Sequence, residues 1–599
     1  MRLKKPIIAV STVALMALAA CGGSGDPTGT GGTGGTDGNG VGEETSAGPQ
    51  GAAGAGKDPT AQAPAPEIEG AQEGGTVTVI SASGLNSMDP SEAYYTNTAA
   101  ILQNLVVRSL TQYVRDDATG DMVLVPDLAT DLGTPNKDFT EWEFTIRDGV
   151  KFENGQEVTA KDVAFGIMRS FDRASFPEGA AYSNDYFLDG DTYKGPYKSG
   201  TDYKGIEVDG MTLTLKMSAP FPDMPYWGAF PAISPIPEGD VSNPADYALH
   251  PWATGPYMFD QYTPEKALTL VKNPHWDADT DPGRHQYVDK WDMSFDDDSA
   301  KIDAIMLADE GEGQTTFTYD NIQAANFLEA KEEAADRLTI GTDPCTFMWY
   351  PDYREITEIE VRQALAYAYP YEAALEASGA IIGVTNSYGT NIMPPGIPGR
   401  EEFNPLPDHE IGTTDPEKAK ELLKEAGYAP GEYEISFLAI TDDPTYVAAT
   451  EQIVKGLEEA GFVPKPFATT IADYSTLRSD PATKVNVRSG GWCSDWPSGG
   501  SWFPPVFETT NLEEEGLGAN YAAFSEPEFD KEIDRILQLD LTEQPAEWNK
   551  LDMKLQEEWF PVFVTAYGGV AMMRGSKIGG FEVDPTFGLP TMKNMFISE

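Results

Sequence analysis

Several things are scarce in this 599-residue sequence, and each scarcity excludes something. Three cysteines are too few for a disulfide-stapled scaffold, and their odd number leaves one to be explained. Four histidines, His250, His275, His285 and His409, are scattered along the chain and read as surface or packing residues, not as a metal or catalytic cluster. Lys and Arg number 41 against 96 Asp and Glu, a formal charge of −55, and a field of that sign repels phosphate backbones. No nucleic-acid partner is expected. The uncharged apolar run from Pro6 to Ala20 falls short of the ~20 residues that span a bilayer stably. Aromatic residues are missing from the whole stretch before Tyr94, so the Gly, Thr, Pro and Ala-rich segment from Gly22 to about Glu73 cannot build a core and reads as a flexible linker. Two phosphate-binding patterns inside it, Gly29 to Gly34 and Gly51 to Lys57, follow no strand and open no helix, and are rejected.

What is present begins with an address. Met1-Arg2-Leu3-Lys4-Lys5, the apolar run, and Leu18-Ala19-Ala20-Cys21 form a secretory signal over residues 1–20. Small residues before a cysteine resemble the lipobox of bacterial lipoproteins, which implies cleavage before Cys21 and a lipid on its thiol; an ordinary signal with an incidental cysteine is the alternative. A diacylglyceryl group would hold the chain on a membrane, where one acyl chain is marginal.

The whole sequence is 40% hydrophobic and 11% aromatic, enough for a large core, and its folding part begins at about Gly74. Thr76 to Ile80 is a β-branched strand. Trp142, Phe144 and Ile146 alternate with polar residues, and Asp148-Gly149 followed by Val150-Lys151-Phe152 predicts a tight hairpin. Ile206 to Val208, Asp209-Gly210 and Met211 to Lys216 predict a second. Thr159 and Asp162 form a capping-box variant before Val163, Ile167 and Phe171, and Thr357 with Glu360 predicts another. Asp415-Pro416-Glu417 opens a helix stopped at Gly427, another runs from about Thr445 to Ala460, and Ser525-Glu526-Pro527 opens a third. Strands and helices alternate without repeats, giving an α/β protein of more than one lobe.

Chemistry is harder to find. A secreted glycoside hydrolase needs paired carboxylates, but 96 acids make pairs at any spacing. There is no Gly-x-Ser-x-Gly elbow, His409-Glu410 lacks a second histidine, and Asp296-Asp297-Asp298 lacks the ligand alternation of a calcium loop. No catalytic residue, metal or cofactor is expected.

One stretch is more specific. Trp142-x-Phe144-x-Ile146-Arg147-x-Gly149-Val150-Lys151-Phe152-x-Asn154-Gly155 and Val158 to Val163 closely resemble the signature of the extracellular peptide-binding proteins of bacterial ABC importers, the oligopeptide/dipeptide-binding family. Thr254 to Tyr257, Lys272 to Trp276, Val361 to Ala368 and Asp415 to Tyr428 extend the resemblance over residues 75–599. It implies a two-lobed α/β periplasmic-binding fold with an extra inserted domain: lobe I from 74–112, 253–344 and 568–599, the inserted domain from 113–252, and lobe II from 345–567. It also implies a monomeric receptor that closes its lobes on a peptide and delivers it to permease subunits. An oligosaccharide or metal-chelate receptor on the same scaffold is the nearest alternative; the hydrolase is the rival from another class.

The resemblance further implies a site. Arg488-Ser489-Gly490-Gly491-Trp492-Cys493-Ser494-Asp495 is similar to the segment whose aspartate holds a peptide's amino terminus, so Asp495 is the candidate anchor and Trp492 a pocket wall, unless they are a loop residue and a core residue. Arg488 either faces a ligand carboxylate or makes a structural ion pair. Pro344 to Tyr350 resembles the opening of lobe II in the same family, which implies a Cys345–Cys493 disulfide and puts Cys493 beside the ligand. Tyr94, Tyr95 and Thr96 occupy the place of an edge that grips peptide backbone, or a packed loop. Phe563 and Tyr567 near the last crossing complete the candidates.

Overall fold

The computed structural model describes residues 56–116, 120, 122–237, 243–406, 409–512 and 516–598; the leader and Cys21 lie outside the described residues. Thr76–Ile80 buries Val77 and Val79 and lies inside a five-stranded sheet, parallel to both Lys290–Ser294 and Thr316–Thr318, with Ala267–Lys272 and Tyr257–Thr263 continuing it antiparallel. Two parallel neighbours require crossovers, so the chain leaves this lobe and returns to it.

The excursion builds the inserted region. Glu141–Thr145 turns Trp142 and Phe144 inward and its other three residues outward, and pairs antiparallel with Thr212–Lys216. The hairpin expected at Asp209-Gly210 forms, Ile206–Asp209 pairing with Thr212–Lys216. The one expected at Asp148-Gly149 does not. Gly149 (φ 84°) turns the chain out of the sheet; Ile146 bridges Ala129 and Lys151 bridges Glu157. Val150 and Phe152 are still buried in the same core, so their alternation marks burial without pairing to the Trp142 strand. Helix Ala160–Arg169 starts with the expected capping box at Thr159 and Asp162 and covers this core.

In the second lobe Val487–Cys493, Leu338–Pro351, Phe563–Met573 and Asn386–Ser387 make an antiparallel sheet, while Glu434–Ile440 and Val463–Thr469 pair in parallel around helix Pro444–Glu459. Asp415 caps helix Pro416–Glu425 through the Lys418 amide, and Gly427 and Gly461 take the left-handed stops. The capping box at Thr357 and Glu360 is absent: helix Ile359–Ala368 starts from Glu358 with no side-chain cap, because the Thr357 hydroxyl donates to the Glu358 carboxylate instead (3.1 Å).

The two lobes share two strands. Leu338 to Thr342 pair with Gly569 to Met573 beside the first core, which holds Val570 and Met572; Thr346 to Trp349 pair with Phe563 to Tyr567 beside the second, which holds Met348 and Val564. Between these ladders the register breaks. A further correction concerns the segment read as linker to residue 73. Gly56–Lys57 adds a parallel strand beside Met122–Pro126, and the chain then runs over lobe I, the Ala65 amide donating to Asp281 O (3.0 Å) and the Gly74 amide to Tyr287 O (2.9 Å). Backbone pairing needs no aromatic side chains, which is why composition missed it.

Candidate functional site

Strand Val487–Cys493 ends at the bridge to its neighbour: Cys345 and Cys493 are register partners and form the expected disulfide. The Ser494 amide then donates to Pro344 O (2.9 Å), and the chain turns into a loop fixed from both sides. The Trp492 indole donates to Ser501 O (2.8 Å), the Trp502 indole to the Ser494 hydroxyl (2.6 Å), and the Ser501 hydroxyl to Trp496 O (2.8 Å).

Asp495 stands on this loop where three parts of the molecule meet. The Tyr94 hydroxyl from lobe I donates to its carboxylate, 2.8 Å from Oδ1 and 2.9 Å from Oδ2, and the Tyr182 hydroxyl from the inserted region donates to Oδ2. Next to it Trp496 is fully buried, its indole donating to Asp223 Oδ2 (2.8 Å) and its ring packing on Tyr182, Phe221 and Phe230. Among the described residues no Lys or Arg forms an ion pair with Asp495. Burial therefore lifts its carboxyl to about 6, with the Tyr182 and Tyr94 hydrogen bonds only partly opposing the rise. Both tyrosine hydroxyls are pushed up in turn, first by burial and then by the Asp495 charge.

These groups line a cavity of about 180 Å³ between the lobes, with Tyr94, Arg173, Tyr182, Asp343, Trp492 and Asp495 on its walls. Among the described residues Arg173 is its one basic wall residue; the guanidinium donates to Gly179 O and to Pro177 O (2.7 Å), and burial lowers its pKa. Among the walls are further residues that the sequence singled out: Tyr95, Thr96, Cys345 and Cys493.

Three others are not there. Arg488 shares a strand face with Trp492 but lies four residues up the strand, roughly 13 Å at the usual rise. It is buried and paired with Asp352 (3.1 Å), the structural alternative for this residue. Phe563 packs between Trp349 and Tyr369 in the core of lobe II. The Tyr567 hydroxyl accepts from the Thr390 amide (3.0 Å), the Asn391 amide (2.8 Å) and Arg400 (3.1 Å), a set that ties down a neighbouring loop. The strand that carries Phe563 and Tyr567 crosses between lobes, but these side chains point into lobe II.

The sequence reading missed Tyr182, Arg173, Asp223 and Asp343. The first three sit in the inserted region, outside its signature segment, and nothing local marks them. Asp343 had a signal: it stands two residues before Cys345.

Residues 123–514 match the model of bacterial extracellular solute-binding proteins, family 5. The chain is 23% identical over 480 residues to the periplasmic oligopeptide-binding protein OppA of Salmonella typhimurium, covering 77% of this chain and 83% of the relative. It is 24% identical over 534 residues to the glutathione-binding protein GsiB of Salmonella paratyphi A, covering 86% and 93%. In three dimensions it superposes on the clavulanic acid biosynthesis oligopeptide binding protein 2 with a TM-score of 0.81 at 23% identity, over 91% of this chain and 99% of that one.

Proposed function

Because the chain belongs to the bacterial extracellular solute-binding proteins of family 5, which bind solutes for transport and are not enzymes, we propose that its solute is a short peptide held by the amino terminus at Asp495. One observation carries this: the Asp495 carboxylate is buried at the meeting of the lobes, already oriented by two hydroxyl donors, and forms no ion pair among the described residues. An ammonium supplies the missing charge, and the charge-assisted bond it makes in a closed cleft is stronger than a neutral one. Trp492 adds apolar wall without selecting one side chain. The names of the relatives, an oligopeptide binder and a glutathione binder, support a peptide-like ligand. Since Tyr94, Tyr182 and Asp495 come from different domains, a ligand that bridges them favours the closed arrangement and shifts the open–closed equilibrium toward it. The closed form would present the peptide to an ABC permease, with the chain tethered through lipid on Cys21.

Titration calorimetry with a tripeptide and its N-acetylated twin tests the anchor. The free amine is expected to bind and the acetylated form to lose at least tenfold; equal affinities would remove the amine from Asp495. Native mass spectrometry of the purified protein identifies what it carries. For the tether, a diacylglyceryl-modified amino-terminal Cys21 is expected in the membrane fraction, and Cys21→Ser is expected to release the protein.

A further inference from the structure

A second carboxylate shares the cavity. Asp343 is 7% exposed, lines the same wall as Trp492 and Asp495, and its Oδ1 has no hydrogen-bond partner. Among the described residues it forms no ion pair either. A buried carboxylate in that condition costs stability, so the fold holds it against a penalty.

The hinge strand aims it. Leu338–Pro351 pairs through Thr342 with Gly569 and resumes through Thr346 with Tyr567, so residues 343–345 bulge opposite Gly568 alone. Bulges of this kind redirect side chains. Two glycines make room for the carboxylate: a Cβ at Gly568 would stand 2.9 Å from Asp343 Cβ, Cγ and Oδ2, and one at Gly588 would stand 3.3 Å from its Cα and Oδ1. Register then relates Asp343 to Asp495. Cys345 and Cys493 are opposite one another on antiparallel strands, so the residues two steps before the first and two steps after the second leave the bridge in the same direction. The disulfide therefore pins two carboxylates to one end of the ladder, both lining one cavity and both without an ion pair among the described residues. Burial raises both carboxyls, Asp343 to about 7 and Asp495 to about 6, and a cation bound at either would favour its ionised form.

Building on the reading of Asp495 as the amine anchor, we propose that Asp343 is a second cation subsite and that the ligands are peptides with a Lys or Arg side chain at or next to the amino terminus. A flexible basic side chain reaches a point that the ammonium does not, and its head group brings the donors and the charge that Asp343 lacks. Glu178 on the same walls adds negative potential that favours such a ligand, while the charge of Asp185 is offset by Arg173 facing it.

The test pairs basic and neutral isosteres: Lys-Ala-Ala against norleucine-Ala-Ala, and Ala-Lys-Ala against Ala-norleucine-Ala, titrated into the mature protein and into Asp343→Asn. In the wild type at least one lysine peptide is expected to bind tenfold or more tighter than its norleucine twin, and in Asp343→Asn that ratio is expected to collapse to within about twofold. Norleucine peptides that bind as tightly as lysine peptides to the wild type overturn the subsite while leaving peptide capture intact. A lysine preference that survives in Asp343→Asn overturns the assignment to this residue. If none of the four peptides binds, peptide capture itself fails and the subsite falls with it.

Discussion

Asp281 and Asp495 are both aspartates withdrawn from water, and their surroundings treat them in opposite ways. Asp281 lies with Asp127 between Arg108 and Arg284, every side chain 2% exposed or less: Arg108 meets Asp127 at 2.7 Å, and Arg284 meets Asp127 at 2.9 Å and Asp281 at 3.2 Å. Burial pushes the Asp281 carboxyl up, but the charges of Arg284 and Arg108, with donors from the Gly283 amide and the Trp276 indole, outweigh it and hold the group below its ordinary range. At Asp495 burial wins and the carboxyl rises to about 6. A buried carboxylate closed on all sides by arginines belongs to the framework, here tying lobe I to the inserted region. One given hydroxyls but no cation is poised for a partner from outside.

The largest expected effect breaks the framework side of that contrast. Arg284→Met leaves Asp127 and Asp281 short of a positive charge and is expected to destabilise the fold by about 3–5 kcal/mol, as removing one member of a buried ion pair does. Urea denaturation at pH 7 measures it, and an unchanged midpoint would show that the cluster adds nothing.

Asp495→Asn is expected to act on the other side. It should cost a free-amine peptide about 2–5 kcal/mol of binding, read by calorimetry. Its effect on folding has the opposite sign. A carboxyl whose pKa is raised on folding binds protons more tightly in the native state, so its penalty is absent below the unfolded pKa near 4 and fully present above about 6. At pH 8 the asparagine variant is expected to melt no lower than wild type; a clear loss there would move Asp495 to the framework class.

The same titration predicts a pH dependence of binding. An ammonium binds the ionised carboxylate, so affinity is expected to be level between about pH 6 and the amine's own pKa near 8, and to fall toward tenfold per pH unit below about pH 6, about 1.4 kcal/mol for each unit. A peptide whose affinity is constant from pH 5 to pH 8 would mean that Asp495 does not carry the amine.

How much of this contrast was legible in the sequence depends on how far each interaction reaches. Helix starts at Thr159 and Asp415 were readable because a cap and its amide lie three residues apart. The disulfide was readable because two family-like segments carry its cysteines, and the second of them made Asp495 a candidate; the strands of the inserted region were readable from their own alternation. The hairpin at Gly149 failed because alternation reports which side chains are buried, not which strand pairs with which. Arg488 was misplaced for a related reason: sequence proximity to Trp492 is about 13 Å along a strand, enough to leave the cavity. The tyrosine from the inserted region and the Asp343 bulge depend on contacts between residues more than 150 positions from Asp495, which no local pattern encodes. Asp343 was nonetheless within reach. Once Cys345 pairs with Cys493 on antiparallel strands, residues equally spaced from the bridge are neighbours.

The smallest expected effect sharpens the contrast at the level of single hydroxyls. The Tyr182 and Tyr94 hydrogen bonds are what keep Asp495 from rising further, since both lower its pKa against the pull of burial. Tyr182→Phe removes one donor and leaves the ring, so the packing on Trp496 at 4.7 Å between ring centres is retained. Loss of a hydrogen bond to a charged group is worth about 1.5–3 kcal/mol at most, and water or the ligand ammonium recovers part of it in a cavity. The expected outcome is therefore modest in affinity at pH 8, within a few fold, but directional in pH. With less support for its ionised form, Asp495 should protonate at higher pH, and the midpoint of the binding profile should move above about 6. Tyr94→Phe should shift it the same way, and the double variant further than either. A midpoint that stays put in all three would mean that the hydroxyls only pack against the carboxylate, and that orientation by donors is not what distinguishes Asp495 from the arginine-bound aspartates of the framework.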